Sequence, residues 1–192
     1  MATDTAARVS PRERLLAAAN ELFYEEGVHT VGIDRVIERA GVAKATLYNS
    51  FGSKDELIRA YLAGRHAIRR DHMTRALTRY DNPRDRLLGV FDVLTETFTN
   101  PEYRGCAFLN ASAEARPDSP IVAATDEYRA WVRSLLTDLA REAGLAEPEH
   151  VGRQLALLYD GAGISGWMDR DPNAAVAARG VAEVLIDASV LR

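Results

Sequence analysis

The sequence predicts an all-α protein of about nine helices, in which a small three-helix unit is joined by a long helix to a larger helical unit. Three observations carry this. Apolar residues recur at spacings of three and four along most of the chain. No segment alternates apolar and polar residues for long, and no Asn-Gly pair separates two apolar runs, so no strand is expected. All seven prolines (Pro11, Pro83, Pro101, Pro117, Pro120, Pro148 and Pro172) fall at expected helix ends, where they cost least.

The elements follow in order. Ser10-Pro11-Arg12-Glu13 is a capping box with proline at the first helical position. It opens a first helix that runs to about Glu26 and stops at Gly27, with Leu15, Ala19, Leu22 and Phe23 as its buried stripe. Ile33, Val36, Ile37 and Ala40 define a short second helix. Gly41 follows, where a left-handed residue is wanted and glycine alone is free of strain. A third helix from Lys44 to Ser50 sets Leu47 among polar Lys44, Thr46, Tyr48 and Asn49. Ser53-Lys54-Asp55-Glu56 is a second capping box. It opens a long fourth helix through Leu57, Ile58, Tyr61 and Leu62 to about Tyr80. Asn82-Pro83 starts the fifth, with Leu87, Val90, Phe91, Leu94 and Phe98 on one face. A sixth is expected over roughly Arg104 to Arg116, and Ser119-Pro120 opens a seventh that ends near Gly144. The eighth runs from about Pro148 to Asp169 and the ninth from about Asn173 to Val190. Residues 1–9 read as a loose arm. The domain boundary is expected after residue 56, giving units of residues 1–56 and 57–192.

The bulk composition narrows the function. With 192 residues, 47% apolar and 27% charged, the chain can bury a sizeable core and is not a disordered composition. No run approaches the ~20 apolar residues that span a bilayer, so no membrane partner is expected. The N-terminus lacks an apolar signal core. A single cysteine, Cys106, leaves no internal disulfide and fits a cytoplasmic location. The net charge is −4, but it is uneven. Residues 1–80 hold 13 Lys and Arg against 10 Asp and Glu, and residues 81–192 hold 11 against 18. The chain's two lysines, Lys44 and Lys54, both lie in the third and fourth helices.

Residues Gly32 to Leu57 bear most directly on function. A helix, a glycine turn and a second helix with a polar outer face form the pattern of a helix-turn-helix, whose second helix enters a major groove. The chain is therefore expected to bind double-stranded DNA.

The same residues carry a family resemblance. Leu22-Phe23 is followed by Gly27, a short helix is closed by Ala40-Gly41-Val42, and the next helix reads Lys44-Ala45-Thr46-Leu47-Tyr48. Phe51, Ser53, Lys54 and Leu57 continue the order. From about Arg12 to Leu62 the chain resembles the DNA-binding domain of the TetR family of transcriptional regulators. The rest resembles that family in helix count and length. Two positions depart from the pattern. Gly32 stands where Ser or Thr often caps the second helix and Ala43 where Ser often caps the third, each a side-chain cap worth about 1 kcal/mol, less at the glycine.

The resemblance implies a homodimeric repressor that binds a palindromic operator and is released by a small-molecule effector. It points to DNA contacts from Thr30, Lys44, Ala45, Thr46, Tyr48, Asn49 and Lys54. Lys44 is expected at a phosphate or a guanine edge, Thr46 at a thymine methyl or another base, and Asn49 at adenine or a phosphate. Tyr48 would offer its hydroxyl to the backbone, and Lys54, in the first turn of its helix, a phosphate contact. Leu47, Val42 and Phe51 are expected in the core. The eighth and ninth helices are the expected dimer surface. There Gly161, Gly163 and Gly166 allow close backbone approach or mark a kink or break, and the alanines of the ninth helix keep it thin. Phe91, Leu94, Phe98, Phe108, Tyr128, Trp131, Tyr159 and Trp167 are the candidate lining of a pocket for a moderately apolar ligand.

Catalysis has little support. His29, His66, His72 and His150 lack metal-ligand spacing, so no metal is expected. Cys106 reads as a buried structural thiol, with a redox-sensing thiol as the alternative. No phosphate-binding glycine loop appears. No catalytic residue and no cofactor are assigned. The rival in another class is a helical ligand-binding or scaffolding protein that has lost sequence-specific DNA binding, given Gly32 and Ala43.

Overall fold

The computed structural model describes residues 9–190. Among the described residues there are nine helices: α1 (Pro11–Glu26), α2 (Ile33–Ala40), α3 (Lys44–Phe51), α4 (Lys54–Leu77), α5 (Pro83–Phe98), α6 (Ala107–Ser112), α7 (Pro120–Glu142), α8 (Pro148–Met168) and α9 (Ala174–Ala188). Their only β-pairing is an isolated antiparallel bridge between Leu145 and Val190. The expected loose arm lies outside the described residues, apart from exposed Val9.

The chain gathers into two compact units. One contains the residues up to Gly64 together with Phe108–Ala124, and the other contains Arg65–Ala107 together with the residues from Thr125 onward. In the first, α1, α2 and α3 pack against one another. The Ser10 capping box closes at both ends: Glu13 N–H donates to Ser10 Oγ (3.2 Å), and Ser10 N–H to Glu13 Oε2 (2.8 Å). Leu15, Ala19, Val31, Val36, Leu47, Leu57 and Leu62 are withdrawn from solvent, and the Phe23 and Tyr61 rings meet edge to face at 5.7 Å. Burying one such leucine contributes about 2 kcal/mol.

The turn between α2 and α3 rests on Gly41, which adopts φ 62°, ψ 46°. Its N–H donates to Glu38 O and the Val42 N–H to Ile37 O, both at 3.1 Å. This is the doubly bonded glycine end of a helix, and a side chain at Gly41 would strain it. Arg14 of α1 adds a cation here. Its Nη1 donates to the carbonyls of Ala40 and Gly41 at 3.1 and 3.2 Å, at the negative end of the α2 dipole.

In the second unit, α8 and α5 both pack on α9, around Leu87, Phe91, Leu136, Leu155, Ala175, Ala182 and Ile186. Asn82 caps α5 by accepting the Asp85 N–H at 2.8 Å.

Three helices differ from expectation at their ends. α4 stops at Leu77, three residues before Tyr80, because its last turn tightens into i→i+3 bonds at Thr78, Arg79 and Tyr80. α6 spans only Ala107–Ser112 rather than Arg104 to Arg116. Gly105 at φ 84° breaks any earlier start, and the Ala115 N–H folds back onto Ser112 O. α9 ends at Ala188, since the Ser189 carbonyl accepts the Ala146 N–H at 2.8 Å. The glycines of α8 do not break it. A Cβ at Gly166 would come within 2.8 Å of the Phe98 ring, whereas Gly161 and Gly163 face open space. Gly166 thus serves close packing within the chain.

Candidate nucleic-acid interface

Helix α3 presents Lys44, Ala45, Tyr48 and Asn49 to solvent and buries Leu47 completely. At ~100° per residue the four exposed positions share an arc of roughly 140°. Thr46 lies beyond its edge and is half-buried. Thr30 is exposed in the turn between α1 and α2. Val42 and Phe51 are half-buried, and the Arg12 guanidinium stands 4.9 Å from the centre of the Phe51 ring.

The two lysines have different surroundings. Lys44 Nζ donates to Asp34 Oδ1 at 3.0 Å, across the turn from α2. This hydrogen bond and the Asp34 charge hold the lysine pKa above its ordinary value. Lys54 is half-buried at the first position of α4, and burial pulls its pKa down despite Asp55 beside it. It makes no hydrogen bond or salt bridge among the described residues. Ser53 Oγ accepts the Glu56 N–H at 3.1 Å, which fixes the turn that carries Lys54.

Neither α2 nor α3 receives a side-chain cap. Gly32 and Ala43 stand at the N-caps with extended backbones, which leaves the first N–H groups of both helices to outside partners. Sequence reasoning missed the clamps that orient the motif. Arg35 grips Glu26 (2.6 and 2.8 Å) and Arg39 grips Glu21 (2.5 to 3.1 Å), each with two nitrogens, tying α2 to α1. Asp34 and Arg14 were also missed. All these pairs join different helices, so no spacing along one helix signals them.

The expected pocket residues fall into separate groups. In the second unit Phe98, Tyr103 and Trp167 line an open cleft of about 420 Å³ closed by Gly166, Arg170 and Pro172. Tyr128, Trp131 and Tyr159 gather elsewhere in that unit with His66. The His66 ring lies 5.3 Å from Trp131 and 5.7 Å from Tyr128, and the Tyr128 and Tyr159 hydroxyls are 3.1 Å apart. Phe91 and Leu94 are core residues of α5, and Phe108 is buried in the first unit. Cys106 is a half-buried free thiol.

The outer faces of α8 and α9 are apolar. Leu157, Ile164 and Met168 are exposed on α8, and Val176, Val181 and Val184 on α9, with Gly161 and Gly180 open between them.

Known proteins share these features. The family described as bacterial regulatory proteins, tetR family, matches residues 15–61. FasR of Mycolicibacterium smegmatis, named an HTH-type transcriptional activator, is 49% identical over 51 residues, 27% of this chain and 23% of its own length. TtgR of Pseudomonas putida, named an HTH-type transcriptional regulator, is 30% identical over 116 residues, 55% of each protein. The matches thus span about a quarter and about half of these curated relatives. A crystal structure of a TetR-family transcriptional regulator from Streptomyces coelicolor aligns over 94% of this chain and 96% of that one, at 34% identity and a TM-score of 0.86. No described helix is long and apolar enough to cross a membrane. Helix order, the glycine turn and the near-complete structural match together assign the chain: it belongs to the TetR family of transcriptional regulators.

Proposed function

We propose that this protein is a cytoplasmic homodimeric repressor that binds a palindromic operator through α3 and leaves it when a small ligand binds. The observation that carries the reading is the exposed arc Lys44, Ala45, Tyr48 and Asn49, flanked by the unpaired ammonium of Lys54. Residues 1–56 serve as the DNA-binding domain, with Thr30 and Thr46 as further contacts. Residues 57–192 regulate and dimerise. One such domain makes too few contacts for a specific site, so two copies present two recognition helices to half-sites about 34–36 Å apart. The apolar outer faces of α8 and α9 support dimerisation through those helices. A ligand in the second unit acts through its different affinity for the DNA-binding and released states.

The deciding experiment is selection of bound duplexes from a random pool, with Lys44→Ala/Tyr48→Ala as control. A palindromic consensus that the control loses supports the reading. Binding should weaken steeply with salt, and Lys54→Ala should reduce the slope of log K against log salt by about 1. An unchanged slope would remove Lys54 from the contacts.

The uncapped Gly32 and Ala43 favour a second reading, a ligand-binding or scaffolding protein without sequence-specific DNA binding. No enrichment at low salt from a folded helical dimer would select it.

A further inference from the structure

Arg12 is the second residue of α1 and is exposed. Its Cζ stands 4.9 Å from the centre of the Phe51 ring, so the start of α1 reaches over the last residue of α3. At ~100° per residue, Phe51 lies roughly 20° outside the Lys44 edge of the exposed arc, between that edge and buried Leu47. Arg12 therefore continues the exposed row of α3 from a different helix. The other arginines between Val9 and Gly64 are spent. Arg14 donates to the Ala40 and Gly41 carbonyls, Arg35 to Glu26, Arg39 to Glu21 and Arg59 to Glu56. Arg12 makes no hydrogen bond or salt bridge among the described residues. The neighbouring Glu13 carboxylate accepts the Ser10 N–H at 2.8 Å. The Ser10 hydrogen bonds are the chief cause of that carboxyl's lowered pKa, and Arg12 is the smallest. A guanidinium held over a ring by cation–π attraction keeps its N–H donors for other partners. Phe51 thus fixes a cation at the rim of α3 and leaves its hydrogen-bonding fork unused.

We propose that Arg12 grips a backbone phosphate of the DNA beside the groove that receives α3, with the Phe51 ring as its pedestal. This rests on the DNA-binding reading above and adds to it a contact from α1. The planar guanidinium fork matches two phosphate oxygens through parallel hydrogen bonds. The position of Arg12 favours phosphate over a base edge. It stands outside the arc that faces the groove floor, and its stem is committed to the ring. A cation fixed at that rim sets the register and tilt of α3 on the duplex and carries no sequence information of its own. Arg12 is therefore a positioning contact, which strengthens every complex by the same factor and leaves the choice of sequence to α3.

The test uses the full chain and two labelled probes, the duplex chosen by the selection above and a duplex of random sequence. Binding is followed by fluorescence anisotropy across a salt series. Arg12→Met keeps an apolar stem over the ring and removes the charge. It should weaken binding to both probes about tenfold at low salt, the loss expected for one charge-assisted hydrogen bond. The slope of log K against log salt should fall by about 1 for each protomer bound, and the preference for the selected duplex should not change. Arg12→Lys restores the charge without the fork, so it should recover the slope and only part of the affinity. A merely structural arginine would weaken binding and leave the slope alone. An unchanged slope in folded Arg12→Met would therefore overturn the proposal. A reduced preference for the selected duplex would also overturn it, by making Arg12 a reader of bases. So would a slope for Arg12→Lys equal to that of Arg12→Met, because charge would not be the cause. Loss of folding in Arg12→Met would make the residue structural and overturn it as well. Failure of the DNA-binding reading looks different: the parent itself then binds neither probe at low salt, and both proposals fall.

Discussion

Lys44 enters any DNA complex already engaged. Its ion pair with Asp34 is exposed on both sides and contributes little to stability. Its consequence lies in binding, because the carboxylate competes with phosphate for the same ammonium and adds a negative charge to the surface. Asp34→Asn should leave the melting temperature almost unchanged and tighten DNA binding several-fold at low salt. The gain should shrink as salt rises. Filter binding at two salt concentrations checks this, and equal affinities would place Asp34 outside the interface. His66 gives a second residue-level prediction. Burial and the Arg70 charge hold its pKa below the ordinary 6.5, against a smaller pull from Glu127. The unfolded chain therefore takes up the proton first as pH falls. Stability from this site is intact above about pH 6.5 and declines below it. His66→Gln should flatten the fall in urea midpoint between pH 7.5 and 5.5; an unchanged slope would assign the pH dependence to other groups.

Helix α3 spans eight residues and lacks a capping side chain. Isolated helices of this length are marginal, so α3 depends on Leu47 in the core and on the Gly41 turn before it. Ala43 already has the extended backbone of an N-cap, at φ −75° and ψ 151°. Ala43→Ser should therefore add the missing acceptor without rearrangement. The expected gain is about 1 kcal/mol, or about 2–4 °C in melting temperature for a chain of this size. Calorimetry without DNA would measure it, and a fall would mean that the serine hydroxyl bonds elsewhere. The α1–α2 connection follows the opposite strategy. Two bidentate Arg–Glu pairs and the Arg14 bonds to the α2 carbonyls hold α2 from one side and leave α3 open to solvent.

For the whole molecule, the outer faces of α8 and α9 matter most. Leu157, Ile164 and Met168 on α8 repeat at near-helical spacing around the open Gly161, and Val176, Val181 and Val184 answer them on α9. Glycine and alanine between larger apolar residues let two such helix pairs approach closely. Leu157→Glu, at an exposed site, should spare folding and shift a dimer to monomer in sedimentation analysis. Operator affinity should fall with it, since each half-site contributes to binding. A variant that stays dimeric would move the proposed interface away from this face.

Helix periodicity, proline placement and the Ser10 and Asn82 caps made the nine-helix fold legible along the chain, because each depends on residues no more than a few positions apart. The exposed row on α3 was legible for the same reason: Leu47 fixes which side faces the core, and the polar residues around it must then face out. The ends of three helices were not legible. They were decided by i→i+3 tightening after Leu77, by the backbone angle at Gly105 and by the bond from Ala146 to Ser189. The pairing of Lys44 with Asp34, the clamp of Arg14 on α2 and the contact of Gly166 with Phe98 also belong to tertiary structure alone. Sequence by itself determined which faces are apolar and where helices start, through local spacing and local hydrogen bonds. Only the folded chain decided which charges are balanced, because electrostatic partners are chosen by distance in space and not by distance along the backbone.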